Sequence, residues 1–318
     1  MNFAQLKERL RPGLRLPTTA RFVPASFILE IQPDFVAGAK LDQSRRQVRR
    51  MGVATLEPDS LSPHPGRANV SNAAALREAV RRVKEAVGNG DGRAGLLLSD
   101  GAVRVAVLSF ETVPDSPAEL DTLLRWRMKE NLPFSPEEAR LSYQVSRLTG
   151  GAEALVVAAR SSVLGEYEAA LEGSRGLLIL PATAALLPLL PQEDAVGQLL
   201  VSVCSGWLTS VVVWGKRVCF WRTREMVETA PGEQSQAVVM EAVRVSASAR
   251  DHLQVEVPRV WVCVRPAPPA ELVSEVARAV GHEVRLLAPP AELGANLPAA
   301  ERATFERLGA PLAGLLLN

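Results

Sequence analysis

The 318-residue sequence places few reactive side chains at spacings that support chemistry. Its three histidines, His64, His252 and His282, lie far apart and no HExxH pair occurs, so no metal site is expected. Cys204, Cys219 and Cys263 form no CxxC pair and no even set. Each sits in an apolar, β-rich run, which suits buried free thiols in a reducing compartment. No GxSxG elbow surrounds any serine. The glycine run at 88–92 follows a helical pattern, whereas a phosphate loop follows a strand, so it reads as a plain loop. Gly215-Lys216 lacks the preceding glycine of a phosphate loop and reads as a hairpin turn. Glu137-Glu138 stand where a helix begins, and there negative charge complements the helix dipole. Arg45-Arg46 and Arg49-Arg50 form a basic cluster best read as a solvated strand edge.

The composition sets bounds on the rest. Lys and Arg number 36 against 35 Asp and Glu, a net charge of +1, which excludes a bulk polyanion binder. Only five of the basic residues are lysines. Arginine favours bidentate carboxylate and phosphate recognition, but the excess is read here as source composition and surface use. Residues 1–22 carry charges throughout and no apolar stretch, so a basic tail is expected rather than a secretory leader. The most apolar segment, 176–191, is shorter than the ~20 residues a span needs and contains three prolines. A cytoplasmic protein is expected.

These candidates must be positioned by elements that the patterning reveals. Three strands are expected at 27–31, 35–41 and 47–56, then a helix whose stripe is Leu76, Val80, Val83 and Val87. About 170 residues later the pattern returns: strands at 199–204, 208–214 and 217–222, a helix at 233–252, a strand at 260–264, a helix at 270–280 and a strand at 283–287. Trp214 and Trp221 flank the second hairpin and are candidates for a cross-strand pair. Between the repeats lies a different unit. It has strands at 103–110, 141–146 and 154–159, helices after the capping-box matches at Ser116 and Ser135, and a helix at 163–171. A duplicated meander-plus-helix unit is the pattern of an actin-like, ribonuclease-H-like α/β fold, with an inserted α+β subdomain. The expected division is 1–22 tail, 23–98 first half, 99–173 insert, and 174–318 second half with a reduced outer subdomain.

The insert carries a resemblance. Glu119-Leu120, Leu124-Arg125-Trp126, Asn131-Leu132-Pro133-Phe134-Ser135-Pro136-Glu137-Glu138, Tyr143-Gln144-Val145 and Leu155-Val156-Val157-Ala158-Ala159 resemble the PilM family of type IV pilus assembly. That family is itself similar to FtsA and to the cytoplasmic region of GspL. The element order matches over most of the chain, and the insert alone is specific. The resemblance implies an adaptor peripheral to the inner membrane. Its partner would be a PilN- or GspL-like bitopic protein whose cytoplasmic peptide enters a groove beside the insert, with Arg125, Trp126 and Phe134 as candidate contacts. Self-association stays open, and no nucleic acid is implied.

The departures concern ATP. Where the family's first phosphate loop has Asp-Ile-Gly, small hydroxyl residues and a Lys, this chain has Glu30-Ile31-Gln32, then Pro33, Asp34 and, at the Lys position, Ala37. Gln32 removes the glycine that lets a backbone approach phosphate, and Asp34 repels it. The second loop becomes Ser202-Val203-Cys204, with no carboxylate left to organise Mg²⁺. The adenosine-side glycines become Val264-Arg265-Pro266. The joint loss predicts no ATP, no Mg²⁺ and no catalysis, and the cleft motifs are expected to be nearly free of arginine. The reading is a non-catalytic scaffold; the alternative is an actin-like ATPase with a non-standard pocket, which needs Glu30 and Asp34 to face an open cleft. An FtsA-like filament protein is disfavoured because 315–317 is too short for a membrane-binding helix.

Overall fold

The computed structural model describes residues 27–42, 47–88, 93–171, 175–193, 196–227 and 230–317. The basic tail at 1–22 and Arg45-Arg46 lie outside the described residues. Two five-stranded sheets share one topology. In the first, β1 (Phe27–Ile31), β2 (Phe35–Asp42) and β3 (Gln47–Thr55) form an antiparallel meander. Then β4 (Arg93–Leu98) and β8 (Arg175–Pro181) add in parallel, giving the order β3-β2-β1-β4-β8. In the second, β9 (Gln198–Cys204), β10 (Trp207–Trp214) and β11 (Arg217–Glu225) form the meander. There β12 (Arg259–Arg265) and β13 (Glu283–Leu286) are the parallel strands, in the order β11-β10-β9-β12-β13. Both meander hairpins of the second sheet use two positive-φ residues, Ser205-Gly206 and Gly215-Lys216, the turn whose twist matches the strands.

Helices cover the outer faces. α1 (Ala73–Val87), capped by the Asn72 side chain, packs with α3 (Ser161–Ala170) on the first sheet. α4 (Pro231–Leu253) and α5 (Leu272–Val280) pack on the second. Between the sheets lies a shared core containing Ile28, Ala37 and Leu97 of the first sheet and Leu200, Val211 and Trp261 of the second. Into it run α6 (Ala299–Leu308), α7 (Ala310–Leu317) and the 3-10 segment Ala184–Leu189. A Cβ on Gly314 would stand 1.7 Å from the Ala185 carbonyl oxygen, so glycine is what lets α7 lie against that segment.

The inserted sheet, in the order β5-β7-β6, comprises β5 (Arg104–Phe110), β6 (Ala139–Leu148) and β7 (Gly151–Arg160) and carries α2 (Pro117–Met128) on one face. Its other face leans on the second half, where Val105, Val107 and Leu155 join the shared core and Arg217 of β11 pairs with Glu153.

Several expectations shift. β8 lies in the first sheet, not in a second half starting at 174, because a parallel strand needs a crossover and α3 supplies it. By the same token α3 belongs to the first half's core rather than to the insert. No helix follows Ser135: Pro136–Glu138 makes a single 3-10 turn and the Ser135 hydroxyl donates to the Glu137 carboxylate instead of capping. Trp221 faces Val211 across the ladder while Trp214 faces Arg217, whose guanidinium lies 5.1 Å from the Trp214 ring, so no tryptophan pair forms.

Candidate functional site

Strand parity decides what the two halves present to each other. Along β1, Phe27, Leu29 and Ile31 face α1, so Ile28 and Glu30 face the shared core. Along β9, Leu199, Val201 and Val203 face α4, which turns Leu200, Ser202 and Cys204 inward. Along β12, Val260 and Val262 face outward and Trp261, Cys263 and Arg265 inward. The residues of these three strand ends therefore converge on one interior region between the sheets.

There they bind one another. The Arg265 Nη1 donates to both Glu30 carboxylate oxygens at 2.6 and 2.7 Å, with the two side chains 3% and 0% exposed. Gln32, itself buried, donates from Nε2 to Glu30 Oε1 at 2.7 Å. Ala37 stands opposite Glu30 in the β1–β2 ladder and is fully buried, so no side chain of β2 reaches the carboxylate at that position. Asp34, at the tip of the β1–β2 turn, accepts from the Ser205 hydroxyl at the tip of the β9–β10 turn. The two hairpin turns thus touch directly. Where no arginine was expected to stand in for the missing lysine, Arg265 reaches Glu30 from β12.

A second cross-link was not visible as a motif. Asp100, in the turn after β4, accepts from the Thr183 amide at 3.0 Å and from the Thr183 hydroxyl. It also accepts from Thr209 Oγ1 of β10 at 2.8 Å. Thr209 continues to Thr223 and the Trp221 indole, each in β11. Beside it Gly101 sits under the Trp207 ring, where a Cβ would come within 2.2 Å of the indole. A Ser-Asp-Gly run in a turn carries no sequence signature for this role.

The electrostatics of this interior follow from burial and pairing. Burial alone would lower the Arg265 pKa, but the Glu30 carboxylate bonded to it opposes that and keeps the guanidinium charged. Burial pushes the Cys204 thiol up to about 12 and the Cys263 thiol up to about 11, against the pull of Arg265, so neither is a thiolate nucleophile near neutrality. Burial also raises Asp100, and its threonine hydrogen bonds oppose the rise. Among the described residues, no three His, Cys, Asp or Glu side chains come together as a metal site, and no helix is long and apolar enough to cross a membrane.

The insert presents the other candidates. Trp126, on the outer face of α2, is 68% exposed. Phe134 is half-buried in the turn that follows. Arg125 is engaged internally: Nη1 donates to the Pro136 and Ala139 carbonyls at 2.7 and 2.9 Å, and Nε to Asp121 at 2.7 Å. It fastens the 129–139 turn to α2. That turn meets the first half through Pro133, which packs on Gly66, while Arg160 Nη1 donates to the Gly66 carbonyl at 2.7 Å.

No protein-family model matches the sequence, and no curated protein matches it. Solved structures do resemble it. A PilM-PilN type IV pilus biogenesis complex aligns with TM-score 0.74 and 16% identity, over 93% of this chain and 98% of that one. The ethanolamine utilization protein EutJ from Carboxydothermus hydrogenoformans follows at TM-score 0.49 and 12% identity, over 95% and 91% of the two chains. The cytoplasmic domain of EpsL, an inner membrane component of the type II secretion system of Vibrio cholerae, aligns at 0.46 and 11%, over 89% and 94%. The fold is the actin-like fold, as the duplicated pattern predicts.

Proposed function

We propose that this chain is a non-catalytic scaffold of an inner-membrane assembly platform of the type IV pilus kind. In this reading the Glu30–Arg265 ion pair holds the two halves together in the place of a nucleotide. That interior pair carries the reading. An ATP phosphate between the sheets would have to displace Arg265 from Glu30 and separate Asp34 from Ser205. Two carboxylates would then face it, with Ala37 in place of a lysine on β2. The ATPase alternative needs those carboxylates in an open cleft, and both are engaged.

The likeness to the solved PilM-PilN complex supports a PilN-like bitopic protein as partner. The groove wall would be built by Trp126 and Phe134, with Arg125 shaping the turn between them. A short apolar peptide captured there would be held by apolar anchors and backbone hydrogen bonds. Membrane association would come through that partner.

Calorimetric titration of the full chain with Mg-ATP to millimolar concentration should give no binding heat; micromolar binding rejects the locked interior. Independently, the cytoplasmic peptide of a bitopic protein encoded beside this gene should be captured by the parent. Trp126→Ala should capture it at least tenfold less with unchanged thermal stability. Equal capture by both removes the groove assignment.

A further inference from the structure

The arginines of the insert are engaged, with one exception. Arg125 pairs with Asp121, Arg140 with Glu168, Arg147 with Asp115 and Arg160 with Glu138, while the Arg127 guanidinium lies 5.0 Å from the Phe110 ring. Arg104, the first residue of β5, is half-buried, and among the described residues no carboxylate, carbonyl or aromatic ring engages its guanidinium. Burial lowers its pKa and no neighbouring charge offsets the fall. Taking a guanidinium partly out of water without a partner costs stability. A stranded charge of this kind is characteristic of a functional site, where a ligand supplies the missing partner.

Strand parity fixes its surroundings. Arg104 continues the row of Ala106 and Leu108 on the face of the inserted sheet that carries α2. It stands opposite Ala158 of β7, and two residues on, Arg160 reaches from the same row to the Gly66 carbonyl. Arg104 therefore lies at the end of the insert that meets the 62–69 loop of the first half. His64 of that loop accepts the Gly66 amide on Nδ1 at 3.0 Å. Burial and the charges of Arg67 and Arg104 lower the His64 pKa against the pull of Glu225 of β11, so the ring is neutral near pH 7. Arg67 is exposed and, among the described residues, also has no partner. Pro133 packs on Gly66, which brings the apolar turn of Pro133 and Phe134 to the edge of this cationic corner.

We propose that Arg104, with Arg67 at its rim, receives a carboxylate from the peptide captured in the groove beside the insert. The partner's segment is then an apolar sequence with one acidic side chain. The site rests on the groove reading above and adds to it the charge that the occupant carries. Charge complementarity selects a carboxylate over a phosphate. Arg67 and Arg104 against Glu225, beside a neutral His64, leave one net positive charge, which a single carboxylate neutralises. A phosphate dianion would leave negative charge in excess beside Glu225. One edge of a guanidinium also matches the two oxygens of a carboxylate.

The test uses the full chain and short fluorescein-labelled peptides of alternating Leu and Ser, in which one Ser at a time becomes Glu or, as its control, Gln. Anisotropy should show a position at which Glu binds at least tenfold more tightly than Gln. Arg104→Met should erase that margin and leave the Gln peptides bound as before. It should also raise the urea midpoint of the free chain, because the stem is kept and the stranded charge is gone. Arg67→Gln should shrink the margin severalfold and leave the midpoint in place. Trp126→Ala should weaken Glu and Gln peptides alike, so failure of the groove and failure of the carboxylate site are told apart. A lowered midpoint in Arg104→Met overturns the proposal, as does a Glu margin that survives that change. Equal capture of Glu and Gln peptides at every position overturns it and leaves the groove reading standing; capture of neither removes both. Binding of tripolyphosphate through Arg104 with no Glu margin also overturns it and marks a plain anion site.

Discussion

At the residue scale, the decisive side chain is Arg265. Removing one partner of a buried ion pair strands the other charge, which costs about 3–5 kcal/mol, while replacing both with apolar groups is often neutral. Arg265→Met alone and Glu30→Leu alone should therefore lower the urea midpoint strongly, and the double variant should recover most of the loss. If the losses simply add, the pair is not coupled as the 2.6 and 2.7 Å contacts imply. Asp100 gives a pH signature. Its folded pKa is raised by burial, so the folded chain takes up a proton at higher pH than the unfolded chain does. Its contribution is present in acid and fades as pH rises through the folded value. Asp100→Asn has no such dependence, so its stability relative to the parent should be greatest near pH 8 and should decline toward pH 4. Urea midpoints across that range read it directly, and a gap that widens in acid reverses the sign.

At the scale of elements, legibility followed the period of the hydrophobic pattern. The meander strands are β-branched and apolar runs bounded by turn residues, and were readable within one to three residues. β4 and β8 were not. RAGLLL and RGLLILP are continuous apolar runs, which is how strands of a parallel sheet read when both faces are covered, and nothing in them separates strand from buried helix. The stretch most suggestive of a membrane was β8 and the 3-10 segment after it. α7 was hidden for a related reason: APLAGLLL has no polar face because nearly all of it is buried. Its one conspicuous residue is Gly314. Gly314→Ala should lower stability by about 1–3 kcal/mol, the usual cost of overpacking, rather than raise it as Gly→Ala does in an open helix. A higher melting temperature would mean that α7 does not lie against Ala185.

At the scale of the molecule, the three cleft segments could be aligned with a family pattern, but their meeting could not be foreseen. Each was legible as a loss: a lysine replaced by Ala37, a glycine by Gln32, a glycine by Arg265. That Arg265 bonds to Glu30, 235 residues earlier in sequence, is a property of the sheets, not of any segment. The shared core has the same consequence for unfolding. It draws on both sheets, α6, α7 and the insert, so neither half owns a complete core. Calorimetry should show one cooperative transition for the described body, and Mg-ATP should not move it. Two resolved transitions would mean that the halves unfold independently.

The position of α7 also sets a schedule for synthesis. The inner face of the first sheet, with Ile28, Ala37 and Ala39, is covered by residues 310–317. A chain growing on the ribosome exposes that face after β8 is made and keeps it exposed until the last of these residues has emerged. At about 5–20 residues per second that interval is on the order of ten seconds. During it the nascent chain is a natural client for holdase chaperones.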